Sequence, residues 1–193
     1  MRKIILASTS PYRHSLLSKL GLSFDTASPN FDETAKPGEP PTELALRLAE
    51  GKAQSLAHTY PDHLIIGGDQ VAYLAPNRIL SKPGSFDRAF EQLSACAGQT
   101  VIFYNGLCLF NSKTGQAQTA IEEFRVRFRP LSDAQIQRYL EREQPYDCAG
   151  SFKAEGLGIS LFESLEGRDP NALIGLPLIL LCDLLRHEGI ELP

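Results

Sequence analysis

Several features that would place a protein in a class at first sight are missing from this sequence of 193 residues. No stretch approaches the roughly 18 consecutive apolar residues that a membrane-spanning helix needs. The apolar run that opens the chain, in MRKIILAS, is too short for the core of a signal peptide. The formal net charge is −4, whereas proteins that bind a nucleic-acid backbone are usually basic. The sequence therefore predicts a cytoplasmic protein with neither a membrane partner nor a nucleic-acid polymer as its ligand.

Signatures of several common enzyme classes are also missing. Cys96, Cys108, Cys148 and Cys182 are widely spaced and form no C-x-x-C pair, so reduced thiols are expected and no local signature supports a catalytic cysteine. The chain contains no Walker A loop, no G-x-G-x-x-G turn, no H-E-x-x-H motif and no G-x-S-x-G elbow. A small phosphorylated ligand stays open as a candidate, because it needs only a local basic pocket.

What the chain does contain is an alternation of apolar strands and amphipathic helices, with an ordinary globular composition of 42% apolar and 22% charged residues. Strands are predicted at 3–8, 23–28, 63–74, 78–83, 100–112 and 115–130, with further β structure over 148–167. Helices are predicted at 11–21, 42–60, 85–98, 132–145 and 176–189. This order predicts an α/β fold with helices flanking a twisted mixed sheet, and a single domain over 1–193.

Hydroxyl residues are concentrated where the first strand meets the first helix, in the segment LASTSPYRHSLLSKLG. Free backbone N–H groups and hydroxyls at a helix N-terminus bind anions, and Arg13 would add a guanidinium fork for phosphate. Ser10 would equally serve as an ordinary helix cap, with Arg13 on a solvated face. From this segment alone, the helix cap is the better-supported interpretation.

Asp69 is the most informative single residue, because it follows the apolar and glycine run IIGG. A carboxylate at or inside a buried strand end must be paired, hydrogen-bonded or metal-bound. The glycines allow backbone or ligand to approach closely, although a structural acid bonded to loop amides is the alternative. Lys82 lies at the end of a second predicted strand and offers a cation. Taken singly, Glu33 in FDET and Lys52 are typical of an ordinary loop acid and a solvated helix lysine.

Six segments in register resemble the Maf family of nucleoside triphosphate pyrophosphatases: LASTSPYRHSLLSKLG, FDET, ELALRLAEGKAQSLA, IIGGDQV, LSKP and GLPL. The resemblance covers nearly the whole chain. It implies an α/β fold related to the inosine triphosphatases, with a substrate cleft between two lobes. It also implies that a divalent metal, Mg²⁺ or Mn²⁺, supports cleavage of a small-molecule nucleoside triphosphate into a monophosphate and pyrophosphate.

The resemblance also assigns roles to matching positions. Glu33 and Asp69 would hold the metal or orient the attacking water, and Asp69 would accept a proton. Lys82 would act beside them in catalysis. The phosphates would be bound by Ser8, Ser10, Arg13 and Lys52. These roles agree with the chemistry, because a triphosphate brings negative charges that cations must neutralise. An ionised acid beside them can take a proton from the attacking water.

Three positions depart from the common pattern of the family. Tyr12 stands where S-x-S-P-R-R has its first arginine, and Gln70 and Glu155 replace the threonine and glutamine of thymidine- and uridine-directed members. These features resemble the 7-methyl-GTP pyrophosphatase subgroup. Stacking of a positively charged 7-methylguanine on Tyr12 would gain a cation–π energy of about 0.5–2 kcal/mol. Tyr12 as a packing residue, and Lys153 neutralising Glu155, are the alternatives.

Two other functions stay open at this point. One keeps the chemistry but takes dTTP, UTP or pseudouridine triphosphate as substrate. The other is a non-catalytic, nucleotide-binding regulator of cell division. Asp69 and Glu33 disfavour it, because an anion-binding module gains little from them without a metal.

The tail EGRDPNALIGLPL is interpreted as a turn at Asp169–Asn171 followed by the last helix, rather than as a part of the pocket. A homodimer is the candidate assembly, although the sequence does not determine the oligomeric state.

Overall fold

A computed structural model describes residues 2–193 and arranges them as strands and helices in alternation. The strands are β1 (Lys3–Ala7), β2 (Phe24–Ala27), β3 (His63–Leu74), β4 (Arg78–Leu80), β5 (Thr100–Asn111), β6 (Gln116–Phe128) and β7 (Phe162–Glu166). The helices are α1 (Pro11–Ser18), α2 (Pro41–Gln54), α3 (Phe86–Cys96), α4 (Asp133–Glu143), α5 (Pro170–Ile174) and α6 (Leu178–His187).

The strands form one mixed sheet in the order β2-β1-β3-β5-β6-β7, and β4 pairs with β3 outside that path. Strand β1 pairs in parallel with β2 and with β3. The pairs β3–β4 and β6–β7 are antiparallel. The predicted α/β class, with a mixed sheet flanked by helices, is therefore confirmed.

Contacts within the chain divide it into two compact units. The first contains the residues up to Gln70 together with Tyr104–Glu122 and Arg168–Pro193. The second contains Val71–Phe103 and Glu123–Gly167. Since the boundaries fall inside β3, β5 and β6, each of these strands contributes residues to both units.

The first unit has a hydrophobic core on each face of its part of the sheet, because alternate residues of a strand point to opposite faces. Ile4 and Leu6 of β1 belong to a cluster that includes residues of α1 and α6. Ile5 and Ala7 belong to a second cluster, which includes Ala49 of α2. Both faces of β1 are buried, which explains the uninterrupted apolar run in the sequence.

Two glycines let α2 pack directly against the backbone of the sheet. A Cβ atom on Gly67 of β3 would lie 2.0 Å from the carbonyl oxygen of Ala49. A Cβ atom on Gly106 of β5 would lie 2.1 Å from the carbonyl oxygen of Ala45. The close approach anticipated at the glycines of IIGGDQV is, at Gly67, an approach by helix α2, and it brings the end of α2 next to the residues that follow in β3.

The second unit is built from α3, α4 and parts of the sheet around a cluster of phenylalanines. The rings of Phe103, Phe128, Phe152 and Phe162 meet edge to face, with centroids 4.8 to 5.7 Å apart. Edge-to-face packing is favourable because the positive edge of one ring faces the negative face of the next.

The prediction of β structure throughout 148–167 is wrong for most of that segment. Residues Ala149–Ser151 and Leu157–Leu161 form 3₁₀ turns, and only β7 is extended. Gly150 and Ser151 have φ values of 80° and 63°, in the left-handed region that a strand does not use.

Helix α2 ends at Gln54, earlier than the predicted end at residue 60. Across residues 2–193, no helix combines the length and apolar character that crossing a membrane demands.

Candidate active site

The turn between β1 and α1 is a helix cap, as the composition of the segment favours. The Oγ atom of Ser10 accepts a hydrogen bond from the backbone N–H of Arg13 at 3.4 Å, and Ser8 Oγ accepts one from the N–H of Ser10 at 3.1 Å. A hydroxyl that accepts a hydrogen bond still carries a hydrogen to donate. Capping and phosphate binding are therefore compatible at these two side chains.

Arg13 extends from α1 across two glycines. Its Nε donates to the carbonyl oxygen of Gly175 at 2.9 Å. A Cβ atom on Gly68 or Gly175 would lie 3.7 or 3.8 Å from that Nε. Burial lowers the pKa of Arg13, and the charges of Asp69 and Glu33 oppose this shift. The guanidinium stays protonated, because arginine is too basic to lose its proton in a protein.

Lys52 connects the two acids of the predicted metal site. It lies in the last turn of α2 with only 6% of its surface exposed, although a lysine in that position is usually solvated. Its Nζ donates to Asp69 Oδ1 at 2.7 Å and to Glu33 Oε2 at 2.7 Å. One ammonium group therefore holds a buried carboxylate and a loop carboxylate in a single ion-pair network.

Asp69 follows Gly67 and Gly68 in β3 and is 9% exposed. Burial raises the pKa of this carboxyl group, and Glu33 adds to the rise, whereas Lys52 and Arg13 oppose it. A general base works best when its pKa is shifted towards the working pH. The site therefore contains an acid that burial has made more basic than an exposed aspartate.

The loop that carries FDET is fixed to α2 by Arg47. The guanidinium forms two hydrogen bonds with the Glu39 carboxylate, at 2.5 and 2.7 Å, and one with the carbonyl oxygen of Thr34 at 3.0 Å. These bonds lower the pKa of Glu39 to about 2. Asp32 Oδ1 also accepts the backbone N–H of Thr34 at 2.9 Å. The sequence does not indicate this anchor, since neither Arg47 nor Glu39 stands out from ordinary surface charge.

Gln70 connects the middle of β3 to α5. Its Nε2 lies 2.9 and 3.1 Å from the carbonyl oxygens of Ala172 and Leu173, and 3.2 Å from Oδ1 of the buried Asn105. The amide nitrogen is therefore engaged by the protein itself. A role for Gln70 in recognising a base would fall to its amide oxygen.

The structure brings Arg13, Glu33, Lys52 and Asp69 together in the first unit, with Ser8 and Ser10 at the start of the same helix as Arg13. Tyr12 is half-buried in the first turn of α1. The other predicted residues belong to the second unit: Lys82 is exposed just after β4, and Glu155 is exposed in the turn before the second 3₁₀ segment.

Asp169 is a second buried acid, and its role is visible only in the structure. It is fully buried and caps α5, where Oδ1 accepts the backbone N–H of Asn171 at 2.8 Å and its side-chain N–H at 2.7 Å. Its Oδ2 accepts the N–H of Ile179, at the start of α6, at 2.8 Å. The neighbouring Arg168 forms a salt bridge of 3.0 Å with Glu122. The predicted turn is thus a short capped helix, joined to the next one by Asp169.

Other groups that could bind a metal ion or act as nucleophiles were sought among residues 2–193. Within residues 2–193 no cluster of three or more His, Cys, Asp or Glu side chains could hold a metal ion. The four cysteines are free thiols, and burial raises the pKa of Cys96, Cys108 and Cys148 to about 12. These three thiols are protonated at neutral pH and are poor nucleophiles. The ion-pair network of Asp69, Lys52 and Glu33 is therefore the candidate site.

The chain is similar to known proteins over nearly its whole length. The chain belongs to the Maf family, whose model, described as Maf-like protein, matches residues 3–188. One relative, named 7-methyl-GTP pyrophosphatase, comes from Vibrio vulnificus (strain CMCP6). It is 55% identical over 189 residues, which are 98% of this chain and 96% of the relative. Among solved structures, the Staphylococcus aureus Ham1 protein matches 66% of this chain and 72% of its own, with 14% identity and a TM-score of 0.45.

Proposed function

We propose that this chain hydrolyses 7-methyl-GTP to 7-methyl-GMP and pyrophosphate and thereby removes a modified nucleotide. The observation that carries the proposal is the 55% identity, across nearly both whole chains, to a relative named for that activity. The site supports it, because a buried acid, a lysine and an arginine suit the hydrolysis of a phosphoanhydride. The non-catalytic alternative has no need of a buried acid with a raised pKa.

In the proposed reaction, water attacks the α-phosphorus and the bond from that phosphorus to the bridging oxygen breaks. Pyrophosphate leaves, and Asp69 accepts the proton of the water at the oxygen that does not bond to Lys52. Arg13 and the hydroxyls of Ser8 and Ser10 orient the phosphates. Lys52 keeps Asp69 ionised until it accepts the proton. Lys82 is proposed to offset part of the negative charge of the phosphates.

The local charge supports a metal cofactor. Arg13 and Lys52 contribute two positive charges, which Asp69 and Glu33 cancel, so the network has no surplus charge for a triphosphate. Mg²⁺ commonly binds through one or two carboxylates, with substrate phosphates and water completing its shell. Glu33 and Asp69 are oxygen donors that fit this arrangement. We propose that they hold Mg²⁺ or Mn²⁺, which would stabilise negative charge on the phosphates.

Three residues are proposed to select the base. Tyr12 lies one residue from Arg13 in the first turn of α1, where its ring would stack on the cationic 7-methylguanine. Glu155 would favour the same positive charge and accept hydrogen bonds from guanine. Gln70 would contribute its amide oxygen, because its amide nitrogen already bonds to the backbone of α5.

We also propose that residues 1–193 work as one Maf-like domain in the cytoplasm, with the homodimer as the candidate assembly. Light scattering on the purified chain at several concentrations measures the assembly directly. A mass of one chain, 21.2 kDa, at every concentration would rule out the dimer.

A substrate panel tests the proposed function. Purified protein with Mg²⁺ or Mn²⁺ is incubated with 7-methyl-GTP, GTP, dTTP, UTP and pseudouridine triphosphate, and pyrophosphate is measured. The proposal expects the highest kcat/KM with 7-methyl-GTP. A preference for a pyrimidine substrate would change the base but not the chemistry. Binding of the triphosphates without release of pyrophosphate would support a nucleotide-binding regulator instead.

A further inference from the structure

Phe31, the first residue of FDET, lies directly on the backbone of α2. A Cβ atom added to Gly51 would lie 2.2 Å from Cζ of the Phe31 ring, and 2.4 and 2.5 Å from the two Cε atoms. Real atoms do not come this close, so the ring occupies the space that a side chain at position 51 would fill. The ring is 36% exposed, and its buried part rests on the helix.

The presence of glycine at position 51 is not explained by the backbone, because the residue lies inside a helix and has no positive φ value. A glycine in a helix interior costs about 0.8–1.0 kcal/mol relative to alanine. The close packing of Phe31 explains why a residue without a side chain is present at this position. The helix gives up intrinsic stability here in exchange for a contact with the loop.

The contact lies beside the ion-pair network. Gly51 immediately precedes Lys52, and Phe31 is two residues before Glu33, whose Oε2 lies 2.7 Å from Lys52 Nζ. On the other side of Glu33, the carbonyl oxygen of Thr34 accepts a hydrogen bond from Arg47, one helical turn before Gly51. The loop is therefore fixed to one face of α2 both before and after Glu33.

From this geometry we infer that Phe31 and Gly51 form a positioning pair, which places Glu33 against Lys52. The Glu33 side chain is 59% exposed, so burial of its own surface does not fix it. The loop fixes its backbone instead, and the aromatic contact fixes the loop. The inference rests on the proposed function insofar as Glu33 serves the reaction.

The direct test is Gly51→Ala. Its methyl group would displace the ring and shift the FDET loop, and small misplacements at an active site lower rates by about 10- to 100-fold. We expect kcat for 7-methyl-GTP to fall by at least about tenfold, with a smaller change in KM. The midpoint of thermal unfolding should not fall, because alanine favours the helix. An activity loss without a stability loss separates positioning from a general structural defect.

A double-mutant cycle shows whether the ring transmits the effect. Phe31→Ala alone should lower kcat, because the loop loses its anchor. Gly51→Ala should cost little more in the Phe31→Ala background, since no ring is left to displace. Gln54→Ala, on an exposed position of the same helix, is the matched control and should keep wild-type kinetics. Equal losses from Gly51→Ala in both backgrounds would overturn the inference.

Hydrogen exchange gives a reading that does not depend on activity. The backbone N–H of Thr34, which bonds to Asp32, should lose protection in Gly51→Ala and keep it in Gln54→Ala. Unchanged protection together with unchanged kcat would refute the positioning pair. A wild-type protein that releases no pyrophosphate from any nucleotide would refute the proposed function instead, and loss of Thr34 protection would then still support the contact.

Discussion

Asp69 and Asp169 are both buried aspartates of the first unit, but their surroundings differ in kind. Asp169 accepts three N–H groups, at 2.7 to 2.8 Å, from Asn171 and Ile179. Asp69 instead faces the ammonium of Lys52, with Glu33 on the other side of that ammonium. The partners of Asp169 are neutral and belong mostly to the backbone. The partner of Asp69 is a charged side chain that also binds Glu33.

We interpret this difference as that between an acid that holds the fold, Asp169, and an acid that is proposed to react, Asp69. The N–H groups around Asp169 belong to residues of α5 and α6, so the carboxylate joins two helices. Around Asp69, burial raises the pKa and a lysine compensates for it. Burial alone therefore does not distinguish the two aspartates, and the proposed catalytic role of Asp69 rests on the nature of its partner.

Asp69→Asn should give the largest effect in this comparison. Loss of the proton acceptor should reduce kcat by about 10²- to 10⁴-fold, the usual contribution of general base catalysis. The thermal unfolding midpoint should change little, because Lys52 keeps Glu33 as its partner. Pyrophosphate release under saturating 7-methyl-GTP measures the first quantity, and calorimetry measures the second. Activity close to that of the wild type would remove Asp69 from the mechanism.

Lys52→Met should destabilise the protein, because Asp69 then keeps a buried charge without its ammonium partner. Breaking a buried ion pair costs about 3–5 kcal/mol, and the proximity of Arg13 places the expected cost at the lower end. The double variant Lys52→Met/Asp69→Asn should recover much of that loss, since no buried carboxylate remains. Chemical denaturation of the single and double variants measures the recovery. No recovery would mean that the loss does not come from the unpaired charge of Asp69.

Asp169→Asn should affect stability and spare the reaction. The amide can replace one oxygen as an acceptor, but its NH₂ group would face a donor, and an unsatisfied buried polar group costs about 1–3 kcal/mol. For a chain of this size we expect the unfolding midpoint to fall by about 2–12 °C. The kcat per folded molecule should stay near the wild-type value. A specific loss of kcat at full stability would place Asp169 in the site.

The smallest predicted effect concerns the base. Tyr12→Arg replaces an aromatic face with a cation, which should disfavour the positively charged 7-methylguanine by about 0.5–2 kcal/mol. The ratio of kcat/KM values for 7-methyl-GTP and GTP should then fall by about 2- to 30-fold. Tyr12→Phe keeps the ring and serves as the control. Equal losses on both substrates in Tyr12→Arg would indicate packing rather than recognition of the base.

The sequence predicted the framework well, because the framework depends on local patterns. The strands 3–8 and 63–74 and the helix cap at Ser10 follow from apolar runs and capping chemistry, and the structure confirms them. The family was also predicted correctly, and the match over residues 3–188 confirms it. The β structure expected over 148–167 is confirmed only at β7, because the left-handed backbone at Gly150 and Ser151 does not fit a strand.

The candidate site could be predicted only in part from the sequence. The position of Asp69 after IIGG indicated a buried acid, but the burial of Lys52 was not visible, since helical periodicity does not show which loop covers a helix. The contacts that hold the loop join residues 8 to 20 positions apart, such as Arg47 with Glu39 and Gly51 with Phe31. Such contacts depend on how the loop folds back, and neither composition nor spacing encodes that locally.

The most direct test of the contrast between the two acids is one experiment on two variants. Pyrophosphate release from 7-methyl-GTP in a single turnover is measured for Asp69→Asn and Asp169→Asn, at a temperature where both are folded and with rates expressed per folded molecule. The account predicts a loss of about 10²-fold or more for Asp69→Asn and a rate near that of the wild type for Asp169→Asn. Equal rates for the two variants, whether both are active or both inactive, would contradict it.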